Sequence, residues 1–436
     1  MILYRNHETP LYYQIYIHFK NLIINNEIEP YSKLPSIRAL TEKHSISKTT
    51  VEKAYNQLLV EGFVQSQPKS GYYVLPIKQR NDTKSINPLI KSQETTYSNI
   101  AQPFDTFDVQ DFKKALNNVL NYQSDNLYRP PNISGELELK KTILSHLTQE
   151  RGIKASEDQI VIASGLQNHL LTLSKLTSNR RLGYIVPLFH HAQTIFKMLN
   201  FTLIPCDDLE DLLSKDLNFI YISPSNLYPS GDVIGFNDRI KLIDYAKQNN
   251  AFIIEDDYNY IYRHNAYQIP SIQGLSNNQN VIYIGSFTRQ ILPSFRLSYM
   301  ILPPNLFLQY TESQKLTQTV SVLDQLSIAE FMKSGAYQKH LKKLSAFSKK
   351  QNDAMRDILS LIPENKEITF SGLQSNLHVL FHFETLKIKQ EFIKMIENHW
   401  YYTVFNDWPN TILLPYHGFS KNDYESLNDY LKDCLK

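Results

Sequence analysis

The chain has 436 residues and a formal net charge of +2, and 42% of its residues are hydrophobic and 12% aromatic. This length exceeds one ordinary domain and predicts two or three, with enough apolar residues for substantial cores. Because the net charge is so close to zero, global charge gives no argument for nucleic-acid binding. Any such activity would have to be local.

The two cysteines bear on compartment and metal binding. Cys206 and Cys434 lie far apart without a metal-ligand spacing, which predicts neither a disulfide framework nor a metal site. The first residues lack a signal-peptide pattern, and no apolar run approaches the ~20 residues of a membrane span. We therefore expect a cytoplasmic protein that does not interact with membranes.

The first 75 residues have the pattern of three helices followed by a hairpin. Apolar spacings of three and four predict helices over 11–25 and 48–61, and Ser36 is a suitable N-cap for a short helix over 37–44. Two apolar runs, 63–66 and 72–75, flank turn-forming residues and predict a β-hairpin. This order predicts a winged helix-turn-helix domain over residues 1–75.

In that fold the first turn of the third helix enters the major groove of DNA. Hydroxyl and cationic side chains there, at the start of helix two and in the wing can donate to phosphates and base edges. A single such cation is ordinarily a solvated surface charge, but the combination at three places favours DNA contact. The predicted DNA-binding residues are Ser36, Arg38, Ser47, Lys48, Thr49, Thr50, Lys69 and Gly71.

Three motifs resemble the GntR-type DNA-binding domain. They are Leu34-Pro35-Ser36-Ile37-Arg38, Ser47-Lys48-Thr49-Thr50-Val51 and Lys69-Ser70-Gly71-Tyr72-Tyr73-Val74. The resemblance implies that the arginine of the first motif, the start of the recognition helix and the basic tip of the wing touch DNA. One departure is Lys48, where many members carry arginine, because lysine cannot make a bidentate contact to guanine.

A polar segment, 76–98, predicts a flexible linker, and helical and strand-like patterns alternate over 99–436. The alternation predicts an α/β domain with a mostly parallel sheet, whose ligand site lies at the carboxyl ends of the strands. The strand-length runs are 159–163, 182–186, 202–205, 217–222, 251–255 and 281–284, and helical patterns include 109–120, 137–151, 166–176 and 238–248.

Side chains of complementary chemistry follow these strands. The candidate ligand-binding residues are Gly165, Leu166, Gln167, Phe189, His191, Asp256, Tyr258, Ser286, Thr288, Arg289 and Arg296. Each alone is ordinary loop chemistry. Together they suit a planar anionic heteroaromatic ligand, with Phe189 stacking on the ring, a carboxylate at a ring nitrogen, and hydroxyls with Arg296 at a phosphate.

The order of these segments resembles the aspartate-aminotransferase-like domain, of fold type I, that follows GntR-type headpieces in MocR-type regulators. The resemblance covers about residue 100 to the C-terminus and implies a smaller C-terminal α+β subdomain over about 320–436. By the family pattern, Asp256 would pair with the pyridine nitrogen of pyridoxal phosphate (PLP), Tyr258 would face its hydroxyl and Phe189 would stack on its ring. Its phosphate would be held by Ser286, Thr288, Arg296 and the turn 164–167.

Three departures from that pattern concern chemistry. Arg289 stands at the position of the lysine that forms the Schiff base with PLP, His191 at a position where related regulators can carry an effector-binding arginine, and Leu413 where an arginine grips a substrate carboxylate. A guanidinium stays protonated below pH ~12 and forms no imine with PLP. Catalysis of the aminotransferase type is therefore not expected.

Two hypotheses follow. The first is a transcriptional regulator that binds double-stranded DNA and uses a catalytically inactive aminotransferase-like domain for sensing and dimerisation. The second is a PLP-dependent aminotransferase with an appended DNA-binding domain, although nothing at the strand ends supplies another lysine. We expect no covalently bound cofactor; non-covalent PLP, another anionic effector or an empty pocket are left open. The resemblance implies a homodimer.

Overall fold

The computed structural model describes residues 9–25, 27–67, 70–76, 106–262, 269–277, 279–292, 294–312, 318–360 and 367–434. The chain divides into two compact units, Met1–Glu94 and Thr95–Lys436. Lys69 and, apart from Pro76, the predicted linker lie outside the described residues. Within those ranges, every helix is too short or too polar to cross a bilayer.

The first unit is a winged helix-turn-helix domain. Its elements are α1 Leu11–Ile24, α2 Ile37–His44, α3 Lys48–Val60, β1 Val64–Gln67 and β2 Gly71–Val74, and the two strands pair antiparallel. Val51, Tyr55 and Leu58 of α3 are buried in a core shared with α1, α2 and both strands. The side chain of Ser36 accepts a hydrogen bond from the N–H group three residues later, which confirms the predicted N-cap, and Ser47 caps α3 in the same way.

The larger unit carries the remaining elements. Its strands are β3 Ile160–Ala163, β4 Arg181–Ile185, β5 Thr202–Cys206, β6 Phe219–Ile222, β7 Phe252–Asp256, β8 Val281–Ser286, β9 Ser298–Ile301, β10 Ile368–Ser371, β11 His378–Phe383, β12 Thr403–Val404 and β13 Thr411–Pro415. Its α-helices are α4 Val109–Tyr122, α5 Leu137–Arg151, α6 Leu166–Leu176, α7 His190–Met198, α8 Leu209–Ser214, α9 Phe236–Gln248, α10 Ile272–Leu275, α11 Pro304–Glu312, α12 Val322–Lys333, α13 Ala336–Ser360, α14 Leu386–Ile396 and α15 Lys421–Cys434.

Seven strands form a sheet in the order β3-β9-β8-β7-β6-β4-β5. The strands β5, β4, β6, β7 and β8 run parallel, which confirms the predicted α/β class. β9 was not predicted; it pairs antiparallel with β8 and β3. The 11 residues between Ser286 and Ser298 are fewer than a parallel crossover needs, so the chain returns antiparallel.

A second, antiparallel sheet has the order β10-β11-β13-β12. It shares a core with α14, α15 and the end of α13, including Met355, Phe381 and Phe392. The preceding helix α12 instead buries Ile328 and Phe331 in the core of the seven-stranded sheet. The second core therefore begins inside α13, later than the predicted start near residue 320, because α12 covers the first sheet.

A buried histidine connects the second sheet to the loop after β6. His378, at the start of β11, has its Nε2 2.6 Å from the carbonyl oxygen of Pro229. Burial lowers the pKa of His378 to about 4. The neutral imidazole is therefore the form that the folded protein accommodates.

This burial predicts a pH dependence of stability. Because the folded pKa lies below the ordinary value of 6.5, the stabilisation is fully present above pH 6.5 and is lost as pH falls towards about 4. In His378→Asn, the slope of the unfolding free energy against pH should fall by about 1.4 kcal/mol per pH unit in that window. Urea unfolding followed by tryptophan fluorescence measures this; His190→Asn, at an exposed site, is the control. A slope equal to the unmutated protein's would contradict the assignment.

Candidate DNA-binding groove and ligand site

A groove of about 480 Å³ lies between the start of α2, the start of α3 and the hairpin of the first unit. Its polar lining residues are Lys33, Ser36, Arg38, Thr41, Lys48, Ser70, Gly71 and Tyr72. It thus brings together four of the residues predicted to contact DNA. Ser47 is the N-cap of α3 and Thr50 lies in its first turn, and their hydroxyl oxygens are 2.7 Å apart. Thr49 is exposed.

Two of the cations that line the groove, Arg38 and Lys48, form exposed ion pairs. Arg38 Nε lies 2.8 Å from Glu42 Oε1 and Lys48 Nζ 3.3 Å from Glu52 Oε1, and the two cationic side chains are 88% and 76% exposed. Exposed pairs at this spacing contribute at most ~0.5 kcal/mol. Both cations can therefore exchange a carboxylate for a phosphate at little cost.

Lys33 is a groove residue that sequence reasoning missed. It forms an isolated β-bridge with Tyr73, and its Cε would lie 3.2 Å from a Cβ placed on Gly71. Gly71 has a φ of +126°, a conformation that favours glycine. Nothing in the helical or strand patterns marks Lys33, because its position depends on the folding of the wing onto the segment before α2.

In the larger unit, the predicted ligand residues follow the carboxyl ends of β3, β4, β7 and β8. Asp256, the last residue of β7, is buried and accepts a hydrogen bond from the hydroxyl of Tyr221 on β6. Burial raises the pKa of Asp256 to about 6, while the Tyr221 hydrogen bond and the Arg289 charge act in the opposite direction. Tyr221 was not predicted, since a tyrosine inside an apolar strand looks like core.

Arg289 lies in the turn after β8 and faces this carboxylate. Its Cζ is 5.1 Å from the centre of the Tyr258 ring, and its carbonyl oxygen accepts a 2.7 Å hydrogen bond from Tyr262. Burial raises the pKa of Tyr258 to about 12, and the Arg289 charge again opposes the shift. The guanidinium is therefore within electrostatic reach of both groups predicted to contact a ligand.

A second cationic side chain, that of Arg296, lies beside the start of α6. Gly165 has a φ of +83°, and a Cβ at this residue would lie 3.0 Å from Arg296 Nη2. Its N–H donates a 2.9 Å hydrogen bond to Ser298 Oγ, a contact that sequence reasoning missed because β9 was not predicted. Burial and then the Arg296 charge lower the pKa of His191. Arg296 thus lies beside Gly165 and within electrostatic reach of His191. Gly165 directly precedes Leu166 and Gln167, the first residues of α6.

The hydroxyl groups of Ser286 and Thr288 form hydrogen bonds within the loop that carries Arg289 and Arg296. Ser286 Oγ accepts a 3.2 Å hydrogen bond from the N–H of Thr288. The hydroxyl of Thr288 donates at 3.1 Å to the carbonyl of Phe295. Both predicted phosphate ligands are therefore also turn-forming residues, and they hold the chain that carries Arg289 and Arg296.

Aromatic side chains line a small cavity beside Phe189. Its lining includes Phe189, Tyr221, Tyr228 and Tyr258, and it holds about 20 Å³, close to the volume of one water. The rings of Phe189 and Tyr228 are 5.5 Å apart, and Tyr228 packs on Phe405. Leu413 is buried against Phe405. Asp256, Arg289 and Arg296 do not line this cavity.

Metal binding finds no support in the described ranges. No three His, Cys, Asp or Glu side chains among those residues come together as a metal ion would require.

Comparison with known proteins covers both units. Residues 11–74 match the family model for bacterial regulatory proteins of the gntR family. The chain is 26% identical to the probable rhizopine catabolism regulatory protein MocR of Rhizobium meliloti, over 79% of this chain and 76% of that protein. It is 33% identical over 420 residues to the HTH-type transcriptional regulator YdeL of Bacillus subtilis, over 91% of this chain and 89% of that protein. The chain therefore belongs to the HTH-type transcriptional regulators that include YdeL, and its first unit is of the gntR family type.

The larger unit of this transcriptional regulator has an aminotransferase fold. The structure of kynurenine aminotransferase from Pyrococcus horikoshii matches with a TM-score of 0.67 and 21% identity, over 77% of this chain and 90% of that chain. This likeness confirms the predicted fold and carries no activity with it. As a GntR-family regulator the protein binds DNA, which confirms the first hypothesis in its coarse form.

The groove predicts which cations matter for DNA affinity. Arg38→Ala should weaken operator binding by ~1.5–3 kcal/mol, or about 10- to 150-fold, because a charge-assisted phosphate contact is lost. Fluorescence anisotropy with the intergenic fragment upstream of the protein's own gene measures this. Lys43→Ala, an exposed cation on α2 outside the groove, is the matched control. Equal affinities for the two variants would argue against the groove as the DNA interface.

Proposed function

We propose that this regulator reads DNA through the groove of its first unit and senses an anionic ligand, without catalysis, in its aminotransferase-like unit. The observation that carries the proposal is Arg289. It follows β8 at the position that the resemblance assigns to the covalent lysine, and its guanidinium faces Asp256 and Tyr258.

Covalent attachment of PLP requires an amine that can lose its proton. A guanidinium keeps its charge at every pH that a protein tolerates, so Arg289 supplies neither a nucleophile nor a base that shuttles protons. Leu413 is buried in an apolar cluster and has no charged group with which to bind a substrate carboxylate. Both features support a unit that binds its ligand without transforming it.

The residues fit PLP in part. Arg296 beside Gly165 and the start of α6 suit a phosphate, and the buried Asp256 suits a pyridinium nitrogen. PLP supplies an electrophilic aldehyde and an electron-withdrawing ring when bound, and Arg289 can meet such a molecule only as a cation. We therefore propose non-covalent binding of PLP or a related anion.

The proposal includes a homodimer in the cytoplasm, where a regulator meets DNA. Support for the dimer comes from the resemblance to MocR-type regulators. Two headpieces in one particle would bind a repeated or palindromic site. Size-exclusion chromatography with light scattering would test this, and a monomer at micromolar concentration would contradict it.

The role of Arg289 predicts a gain of chemistry on substitution. Arg289→Lys should acquire a borohydride-reducible covalent adduct with added PLP, because an amine then stands beside Asp256 and Tyr258. The unmutated protein should form none at this site. Peptide mass spectrometry after reduction locates the adduct, and Arg296→Lys is the control for a lysine introduced at the other cationic end. A reducible adduct or transamination in the unmutated protein would favour the alternative, an aminotransferase with an appended DNA-binding domain.

The proposed phosphate site at Gly165 and Arg296 predicts what a methyl group added at Gly165 would do to stability and to phosphate binding. Gly165→Ala should cost ~1–3 kcal/mol of stability, since its φ and ψ of 83° and 170° belong to glycine alone, and should also displace Arg296. Gly335→Ala meets the same kind of backbone strain at a φ of +78°, but with no atom within 4 Å. The rise in melting temperature with inorganic phosphate should therefore disappear in Gly165→Ala and persist in Gly335→Ala. Equal responses would contradict the phosphate assignment.

A further inference from the structure

The long helix α13 presents five lysines along one face. They are Lys339, Lys342, Lys343, Lys349 and Lys350, and we call them the lysine stripe. At 100° per residue these positions fall within an arc of about 120°, and at 1.5 Å per residue they span about 16 Å. All five are exposed. The stripe is therefore a continuous line of positive charge on the larger unit.

Little negative charge offsets the stripe. The segment from Ala336 to Lys350 contains no acidic residue. Within the described residues, the stripe has one ion pair, from Lys339 Nζ to Asp111 at 3.7 Å, and Asp111 is shared with Lys114 of α4 at 3.0 Å. Lys114 and Lys339 line the same surface groove as Asp111 and Glu330, so the N-terminal end of the stripe borders a groove of balanced charge. Asp353 and Asp357 end the stripe on its C-terminal side.

The opposite face of α13 is occupied by the protein itself. Tyr337, Leu344 and Met355 are buried in the cores of the larger unit. The helix therefore has no apolar face free to enter a lipid interface, which an amphipathic membrane helix needs. Between Lys343 and Lys349 the exposed face carries only the small Ala346. Such a face suits a regular row of anions rather than a structured protein partner.

We propose that the lysine stripe is a second DNA contact, which binds the phosphate backbone beside the site that the headpiece reads. The 16 Å span corresponds to about five base pairs of rise along one strand. Because both units belong to one chain, DNA held by the headpiece is at a high effective concentration for the stripe. Lysines act as point charges on phosphates, so this contact adds affinity without adding base specificity.

The experiment compares two duplexes with the full-length protein. The short duplex carries only the footprint of the protein in the region upstream of its own gene; the long duplex adds about 20 base pairs, or ~68 Å, of scrambled sequence on each side. The stripe variant combines Lys342→Gln, Lys343→Gln, Lys349→Gln and Lys350→Gln. The control variant removes four exposed lysines from α14 and α15: Lys387→Gln, Lys394→Gln, Lys421→Gln and Lys432→Gln.

The expected result is a loss confined to the long duplex. There the stripe variant should reduce the slope of log affinity against log salt by about 2–4, at about 0.9 for each phosphate contact. The control variant should leave the slope unchanged, and neither variant should alter binding to the short duplex. Melting temperatures equal to that of the unmutated protein establish that the variants are folded; otherwise the pairs at 342/343 and 349/350 are tested separately.

Other outcomes overturn the proposal. Equal slopes for the unmutated protein on both duplexes would show that the flanks are not contacted. An equal loss for the stripe and control variants would indicate a general charge effect. Stripe-dependent binding to vesicles of anionic phospholipid, without a difference between the duplexes, would assign the stripe to a membrane surface. Failure of the unmutated protein to bind the short duplex would instead concern the headpiece.

Discussion

Two buried charges fix the end of β7, on which the ligand site depends. Arg151 Nε, at the end of α5, lies 2.6 Å from Asp257 Oδ2, and both side chains are almost completely buried. Asp257 also accepts a 2.9 Å hydrogen bond from Tyr283 on β8. Removing one partner from such a pair typically costs 3–5 kcal/mol, because the other charge stays buried alone. The contacts of Asp257 therefore fix the backbone at the end of β7, where Asp256 is its neighbour.

A second buried guanidinium extends this support to the loops. Arg239 on α9 donates hydrogen bonds to the carbonyl oxygens of Ile234, Pro270 and Pro224, at 2.8–3.0 Å. These carbonyls belong to the segments after β6 and before α10. Arg239 therefore connects the loop after β6 to the segment before α10. In our proposal this frame serves the binding of a ligand rather than its transformation.

The difference between prediction and structure follows the range of the interactions. The N-cap Ser36 predicted the bounds of α2, and the helical patterns predicted those of α5 and α6 to the residue, because helix faces and N-caps are local signals. Contacts between distant segments stayed invisible: the bridge of Lys33 to the wing, the hydrogen bond from Tyr221 to Asp256, and the role of Ser298 beneath Gly165. The resemblance indicated which residues meet at the strand ends. It could not indicate that Tyr221, Tyr228 and Tyr258 line a small cavity beside Phe189.

Positive charge is concentrated at one surface of each unit. The chain has 45 basic and 43 acidic residues, so it exerts almost no long-range attraction on DNA as a whole. Cations are instead concentrated in the groove around Arg38 and Lys48 and along α13. A surface built in this way binds a polyanion only in orientations that bring those regions to the phosphates. If an anionic ligand binds at Arg289 and Arg296 and DNA contacts the stripe, as we propose, both events change the charge of the same unit, and each affinity then depends on the other.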